Sequence, residues 1–246
     1  LVHPLIPQNT GSIGRLCAAN NVPLVLVEPL GFSVEDKWVR RAGLDYWPLV
    51  NVQNYPNYNS FKTSIHNHIN ILNKVLLDEK ICNQINEICN KAINCLNNKG
   101  KIIFAGNGGS FSDSQHLATE FVCKFNKDRQ PLPAVVLGTN SSNLTAIGND
   151  YGFHHIFSRE LEAIGRQGDL LLALTTSGRS QNIINLIKKA ESLKIPFFVL
   201  SGESGGKLAE YNDLVVKVPS NQTDIIQQIH ILLGHLICKN VEIPYL

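Results

Sequence analysis

Methionine is absent from all 246 residues, and the chain begins at Leu1. That pattern is expected of a fragment, a processed chain or an artificial sequence. No C-x-x-C pair occurs among the six cysteines, Cys17, Cys82, Cys89, Cys95, Cys123 and Cys238. Most of them fall inside apolar helical patterns, so buried, reduced thiols are expected rather than a disulfide framework. No apolar stretch reaches the roughly 20 residues that crossing a bilayer requires. No basic-then-apolar leader opens the chain either, and a cytoplasmic address is the expectation. Runs of lysine or arginine are missing and the formal net charge is only +2, so the electrostatic footprint of a nucleic-acid binder is lacking. A charged share of 17% is too low for a typical disordered chain, while 43% apolar residues suffice for a packed core. A soluble globular protein that acts on small ligands is what remains.

The length suits one large α/β domain, or one of ordinary size with an appendage. The stretch Asn51-Val-Gln-Asn-Tyr-Pro-Asn-Tyr-Asn59 fits neither a helical nor a strand period. It sets the expected boundary between an N-terminal segment, 1–58, and a main domain, 59–246. Beyond it, Phe61, Ile65, Ile69, Leu72, Val75 and Leu76 mark one helical face, and Ile81, Ile85, Ile88, Ala92 and Leu96 mark another. Five short apolar runs then alternate with helical segments: Ile102–Phe104, Ala134–Leu137, Leu170–Leu174, Phe197–Leu200 and Leu214–Val216. Continuous apolar runs suit strands buried on both faces, which predicts a doubly wound α/β fold with a five-stranded parallel sheet, preceded by two helices. In such sheets ligands bind beyond the carboxyl ends of the strands.

Two loops at those ends have the chemistry of anion sites. The first strand runs into Ala105-Gly-Asn-Gly-Gly-Ser110, where glycines allow close backbone approach and Ser110 and free helix-start amides can donate. Taken alone, a glycine-rich turn is as readily a packing device. The third strand runs into Thr175-Thr-Ser-Gly-Arg-Ser180, and a helix cap needs only one hydroxyl acceptor, so the surplus favours oxyanion binding. Neither loop has the Lys-Ser/Thr ending of a P-loop, which disfavours nucleoside triphosphate hydrolysis and leaves a sugar phosphate as the better fit.

His116 and Glu120, four residues apart, project from one face of the helix after the first loop. Near the C-terminus Gln227, His230 and His235 offer further ligands, of types that zinc accepts. Spacing alone pairs Gln227 with His230, because eight residues turn a helix side chain by about 80° and advance it about 12 Å. His3, His66, His68, His154 and His155 are read as packed or solvated residues.

In order along the chain stand Gly106-Asn-Gly-Gly-Ser110, His116-x-x-x-Glu120, Gly148-Asn-Asp150, Thr176-Ser-Gly-x-Ser180, and Asp224-x-x-Gln227 with His235. This set resembles the phosphosugar isomerase (SIS) domain family, specifically its sedoheptulose 7-phosphate isomerases, over about Asn59 to Leu246. The resemblance implies that Ser110, Thr175, Thr176, Ser177 and Ser180 bind phosphate and nearby hydroxyls, with Gly108 and Gly109 in the same loop. It implies that Asn107, Asn149, Asp150 and Asp224 hold the sugar chain, and that Glu120 and His235 are the proton-transfer pair. It further implies one zinc ion per subunit on His116, Glu120, Gln227 and His235 and a homotetramer with sites between subunits; charge and hydropathy, as above, speak against a membrane or nucleic-acid partner. Lys124 stands where family members commonly have arginine, keeping the charge but losing bidentate geometry.

The N-terminal segment has another likeness. His3-Pro4, Ile6-Pro-Gln-Asn-Thr-Gly11, Arg15-Leu-Cys-Ala18, Glu28-Pro-Leu-Gly-Phe32 and Arg40-Arg-Ala-Gly-Leu-Asp-Tyr46 are similar to the start of the SPOUT tRNA 2'-O-ribose methyltransferases. The likeness is expected to stop at Phe61, without the knot that binds S-adenosylmethionine, so methyl transfer is expected to be absent. Asn9 and Arg15 are then remnants, with Asn9 or Thr10 capping a helix and Arg15 solvated. Two rival readings remain: a non-catalytic SIS regulator like the relative that binds the replication initiator DnaA, and a methyltransferase-related chain. The presence of both Glu120 and His235 favours an enzyme over the first.

Overall fold

The computed structural model of the chain describes residues 1–20, 22–32 and 47–246. It forms two compact units, Leu1–Asn70 and Ile71–Leu246. No helix among the described residues is long and apolar enough to cross a membrane.

In the first unit, α1 (Pro7–Ala19) is followed by β1 (Leu24–Val27), a 3-10 turn at Trp47–Leu49 and β2 (Val52–Tyr55). The two strands pair in parallel, from Leu24 with Val52 to Val27 with Tyr55, over a small core of Leu24, Leu26, Trp47 and Val50. The stretch expected to be irregular thus contains a strand. Its period was unreadable because little of β2 is buried, so no inward-outward alternation marks it. Pro7 opens α1, and neither Asn9 nor Thr10 caps it; both lie inside the helix, where the Thr10 hydroxyl donates to the Ile6 carbonyl. Arg15 is exposed, as expected. The Arg40–Tyr46 motif lies outside the described residues.

Helix α2 (Tyr58–Leu77) leads to α3 (Glu79–Asn97), whose first turn is capped by the Asp78 carboxylate accepting from the amides of Lys80 and Ile81. The second unit then lays down β3 (Ile102–Gly106), α4 (Gly109–Val122), β4 (Ala134–Val136), α5 (Ser141–Asp150), α6 (Ile156–Ile164), β5 (Leu170–Leu174), α7 (Gln181–Ser192), β6 (Phe197–Gly202), β7 (Val215–Val218) and α8 (Thr223–Glu242). The strands make one parallel sheet in the order β4-β3-β5-β6-β7.

Alternation along each strand divides the core in two. Ile102, Phe104, Leu170, Leu172 and Leu174 face α3, α4 and α8, while Ile103, Ala105, Leu171 and Ala173 face α6 and α7. The expected doubly wound architecture is present, and each of the five apolar runs contributes a strand, with Leu137 and Leu214 falling just outside β4 and β7. The cysteines fit their expectation less well: Cys89, Cys95 and Cys238 are buried free thiols, Cys17 is half-buried, and Cys82 and Cys123 are exposed.

A buried ion pair joins the segment after α4 to the end of α8. Arg129 Nε lies 3.4 Å from Glu242 Oε2, with side chains 1% and 2% exposed. Glu242 Oε1 accepts from the Asn126 amide, and Arg129 donates to the carbonyls of Glu120 and Phe121 at 2.7 and 2.9 Å. Removing one member strands the other charge without water. Arg129→Met is therefore expected to destabilise the fold by about 3–5 kcal/mol, measured by urea unfolding.

Candidate active site

Strands β3 and β5 are neighbours, with Gly106 opposite Leu174, so their following loops emerge side by side at the carboxyl edge of the sheet. After β3, Asn107 and Gly108 lead into α4, with Ser110 buried in its first turn. After β5, Thr175 Oγ1 accepts from the Gly178 amide at 3.3 Å and Ser177 Oγ from the Arg179 amide at 3.2 Å. Ser180 occupies the cap position of α7, but its side chain makes no capping bond. The loop thus closes on its own hydroxyls while the Ser180 hydroxyl is left for another acceptor. Gly178 has φ +61°, and a Cβ there would run into the Gly205 carbonyl.

Helices α4 and α8 bring the ionisable groups together. His116 Nε2 is 2.9 Å from His235 Nε2 and 3.3 Å from Glu120 Oε1. One ligand atom from each of the three lies within 4.8 Å of the others. Their meeting depends on close helix approach, since Gly234 faces Leu117 and a Cβ there would stand 2.5 Å from both Leu117 methyls. The ring of Phe125 stacks on His235 with centroids 5.3 Å apart. Burial and the neighbouring His116 lower the His235 pKa, with Glu120 opposing them.

The spacing preference for His230 is overturned. His230 is fully buried with neither ring nitrogen hydrogen-bonded among the described residues, and burial pushes its pKa down to about 4. Five residues turn a helix by about 140°, so His230 and His235 leave α8 on different faces. Gln227 lays its amide against Gly109, at the head of the helix that carries His116 and Glu120. Asp224 is exposed in the first turn of α8. Asn149 donates to Asp150 at 2.8 Å at the end of α5, and no described hydrogen bond joins that pair to the histidines. Lys124 is exposed, 4.0 Å from Asp128.

Three residues at this site were not singled out from sequence. Asn182, 2% exposed, pairs its amide with that of Asn107. Arg129 holds the carbonyl of Glu120 from a segment without periodicity. Asp113 sits one turn before His116; burial pushes its carboxyl up to about 6, with His116 opposing. Only Asp113 had a readable signal, a carboxylate three positions ahead of a histidine on one helix.

A parallel sheet of this order, with two glycine-and-hydroxyl loops beside an imidazole–carboxylate cluster, has the make-up of a phosphosugar-handling α/β protein. A family model described as SIS domain matches residues 65–202. A phosphoheptose isomerase of Aneurinibacillus thermoaerophilus is 46% identical over 181 residues, spanning 74% of this chain and 91% of the relative. One from Rhodospirillum rubrum is 54% identical over 143 residues, 58% of this chain and 76% of the relative. Solved phosphoheptose isomerases from Francisella tularensis and Neisseria gonorrhoeae superpose with TM-scores of 0.71 and 0.68, at 32% and 36% identity. Each superposition spans 74% of this chain, with 96% of the first structure and 98% of the second. The chain belongs to the SIS-domain family, among the phosphoheptose isomerases. A second model, described as the SpoU rRNA Methylase family, matches residues 1–107, past Phe61 where that likeness was expected to end.

Because Gly178 needs both its positive φ and an empty Cβ position, Gly178→Ala is expected to cost about 1–3 kcal/mol, read as a lower midpoint in thermal unfolding.

Proposed function

We propose that the chain interconverts D-sedoheptulose 7-phosphate and D-glycero-D-manno-heptose 7-phosphate in the cytoplasm, supplying heptose precursors such as those of lipopolysaccharide. The observation that carries this reading is the meeting of His116, Glu120 and His235 beside two phosphate-type loops. Ser110, Thr175, Thr176, Ser177 and Ser180, with the amides of Gly108 and Gly109, anchor the phosphate; Asn107, Asn149, Asp150, Asp224 and Gln227 hold the sugar chain. In the ketose-to-aldose direction a proton leaves C1, its electrons form the C1=C2 bond of an enediol, and the former carbonyl oxygen is protonated. A proton then returns to C2 while the one on O1 is released, leaving the aldehyde. Glu120 and His235 carry these protons, one acting at carbon and the other at the oxygens.

Two imidazoles and a carboxylate converging within 4.8 Å suit zinc, with Gln227 completing the set. When bound there, zinc supplies Lewis-acid polarisation of substrate oxygens. In this reading the chain is a homotetramer, and an apolar groove of about 440 Å³ on the second unit, where Leu72, Leu76, Leu232 and Leu236 are 38%, 73%, 40% and 41% exposed, offers surface for a subunit contact. The domain arrangement in this reading is a SPOUT-like segment over 1–58 that lacks methyl transfer and an isomerase over 59–246.

Glu120→Gln is expected to lower kcat by at least about a thousandfold with an unchanged circular dichroism spectrum. Near-normal turnover would refute the assignment and favour a non-catalytic regulator. Dialysis against a chelator is expected to remove most activity, with zinc restoring it; full activity in metal-free protein would sink the metal assignment. Light scattering should report four chains, and an active monomer would contradict the tetramer.

A further inference from the structure

We propose that Asn182 is a positioning residue that fixes which end of the Asn107 amide faces the sugar, an inference resting on the placement of Asn107 in the substrate site given above. Asn107 lies in the loop after β3, half-buried, and Asn182 at the second position of α7, 2% exposed. Asn107 Nδ2 donates to Asn182 Oδ1 at 2.9 Å, and Asn182 Nδ2 donates to Asn107 Oδ1 at 2.8 Å. The pair straps together the loops that leave two adjacent strands.

By itself such a pair has no polarity. Turning both amides end for end would restore both hydrogen bonds, with nitrogen and oxygen exchanged. The backbone breaks this symmetry, because the Ile183 amide, which also donates to the Ser180 carbonyl, donates to Asn182 Oδ1 at 3.0 Å. A main-chain N–H cannot be reversed, so Asn182 must keep its oxygen there and offer Asn107 its nitrogen on the other arm. Asn107 in turn keeps its own nitrogen toward Asn182 Oδ1. One N–H and one carbonyl lone pair of Asn107 remain, and their order in space is set. A hydroxylated substrate meets a donor and an acceptor that need no reorganisation, which favours correct placement of the reacting carbons.

A double-mutant cycle separates positioning from general support. Asn182→Ala is expected to lower kcat/KM for sedoheptulose 7-phosphate about tenfold, in line with the loss of one buried hydrogen-bonding partner. In an Asn107→Ala background the same change is expected to have less than about a twofold effect, because the residue acts through Asn107. Asn182→Asp keeps the acceptor for Ile183 but loses the donor, and is expected to show the same loss of kcat/KM together with a lower unfolding midpoint, because a buried carboxylate then faces Asn107 Oδ1. Independent, multiplying losses, or full activity of Asn182→Asp, would overturn the inference. Side-chain amide NMR gives a readout that needs no turnover. Exchange of one Asn107 Nδ2 proton is expected to be slow in the unaltered chain and fast in Asn182→Ala, which removes the oxygen that accepts it. Equal exchange in both would overturn the strap itself, whereas slow exchange in a chain that fails to isomerise the sugar would uphold the strap and sink the proposed reaction.

Discussion

The geometry of the site hangs on steric contact between α4 and α8. Leu117 fills the space where a side chain at position 234 would otherwise stand, so the two helices approach closely enough for His235 to reach His116 and Glu120. Each partner in that contact precedes a chemical residue: Leu117 follows His116, and Gly234 comes just before His235. A helix that buries Leu117 against the sheet must therefore present His116 along its rim. Burying a leucine contributes roughly 1.5–3 kcal/mol, so hydrophobic packing, rather than the weak attraction among three polar side chains, sets the distances.

The polar layer is placed by similar indirection. Arg129 holds the carbonyls of Glu120 and Phe121 at the last turn of α4 and pairs with Glu242 at the end of α8. The end of each helix is thereby tied to a single guanidinium, and the Glu120 side chain leaves a backbone that cannot easily drift. On the other loop, the Thr175 and Ser177 hydroxyls are used to shape the turn itself. The hydroxyl surplus visible in sequence thus has two uses, as scaffold and as potential anion ligands.

Most of the second unit was legible from local pattern. Runs such as Leu170–Leu174 are buried on both faces, and their continuous apolarity says so without reference to distant residues. β2 was not legible, because Val52–Tyr55 become a strand through pairing with β1 and not through burial. His235 was readable only through family resemblance; helical spacing favoured His230, which the packing of α8 turns into the interior. Asn182 and Arg129 escaped for a related reason. Asn182 pairs with a residue 75 positions away, and Arg129, besides its bonds to Glu120 and Phe121, is held by a carboxylate 113 positions away; no local period records such partners.

The one-to-one register of β3 with β5 has a consequence for how this chain can vary. Ile102 through Gly106 align residue by residue with Leu170 through Leu174, and alternate positions serve opposite cores. A single inserted or deleted residue in either strand would exchange its two faces and slide one loop about 3.3 Å past the other. Many individual side chains there can be traded for others of similar bulk. What the fold guards is the count of residues, as a ruler guards its gradations.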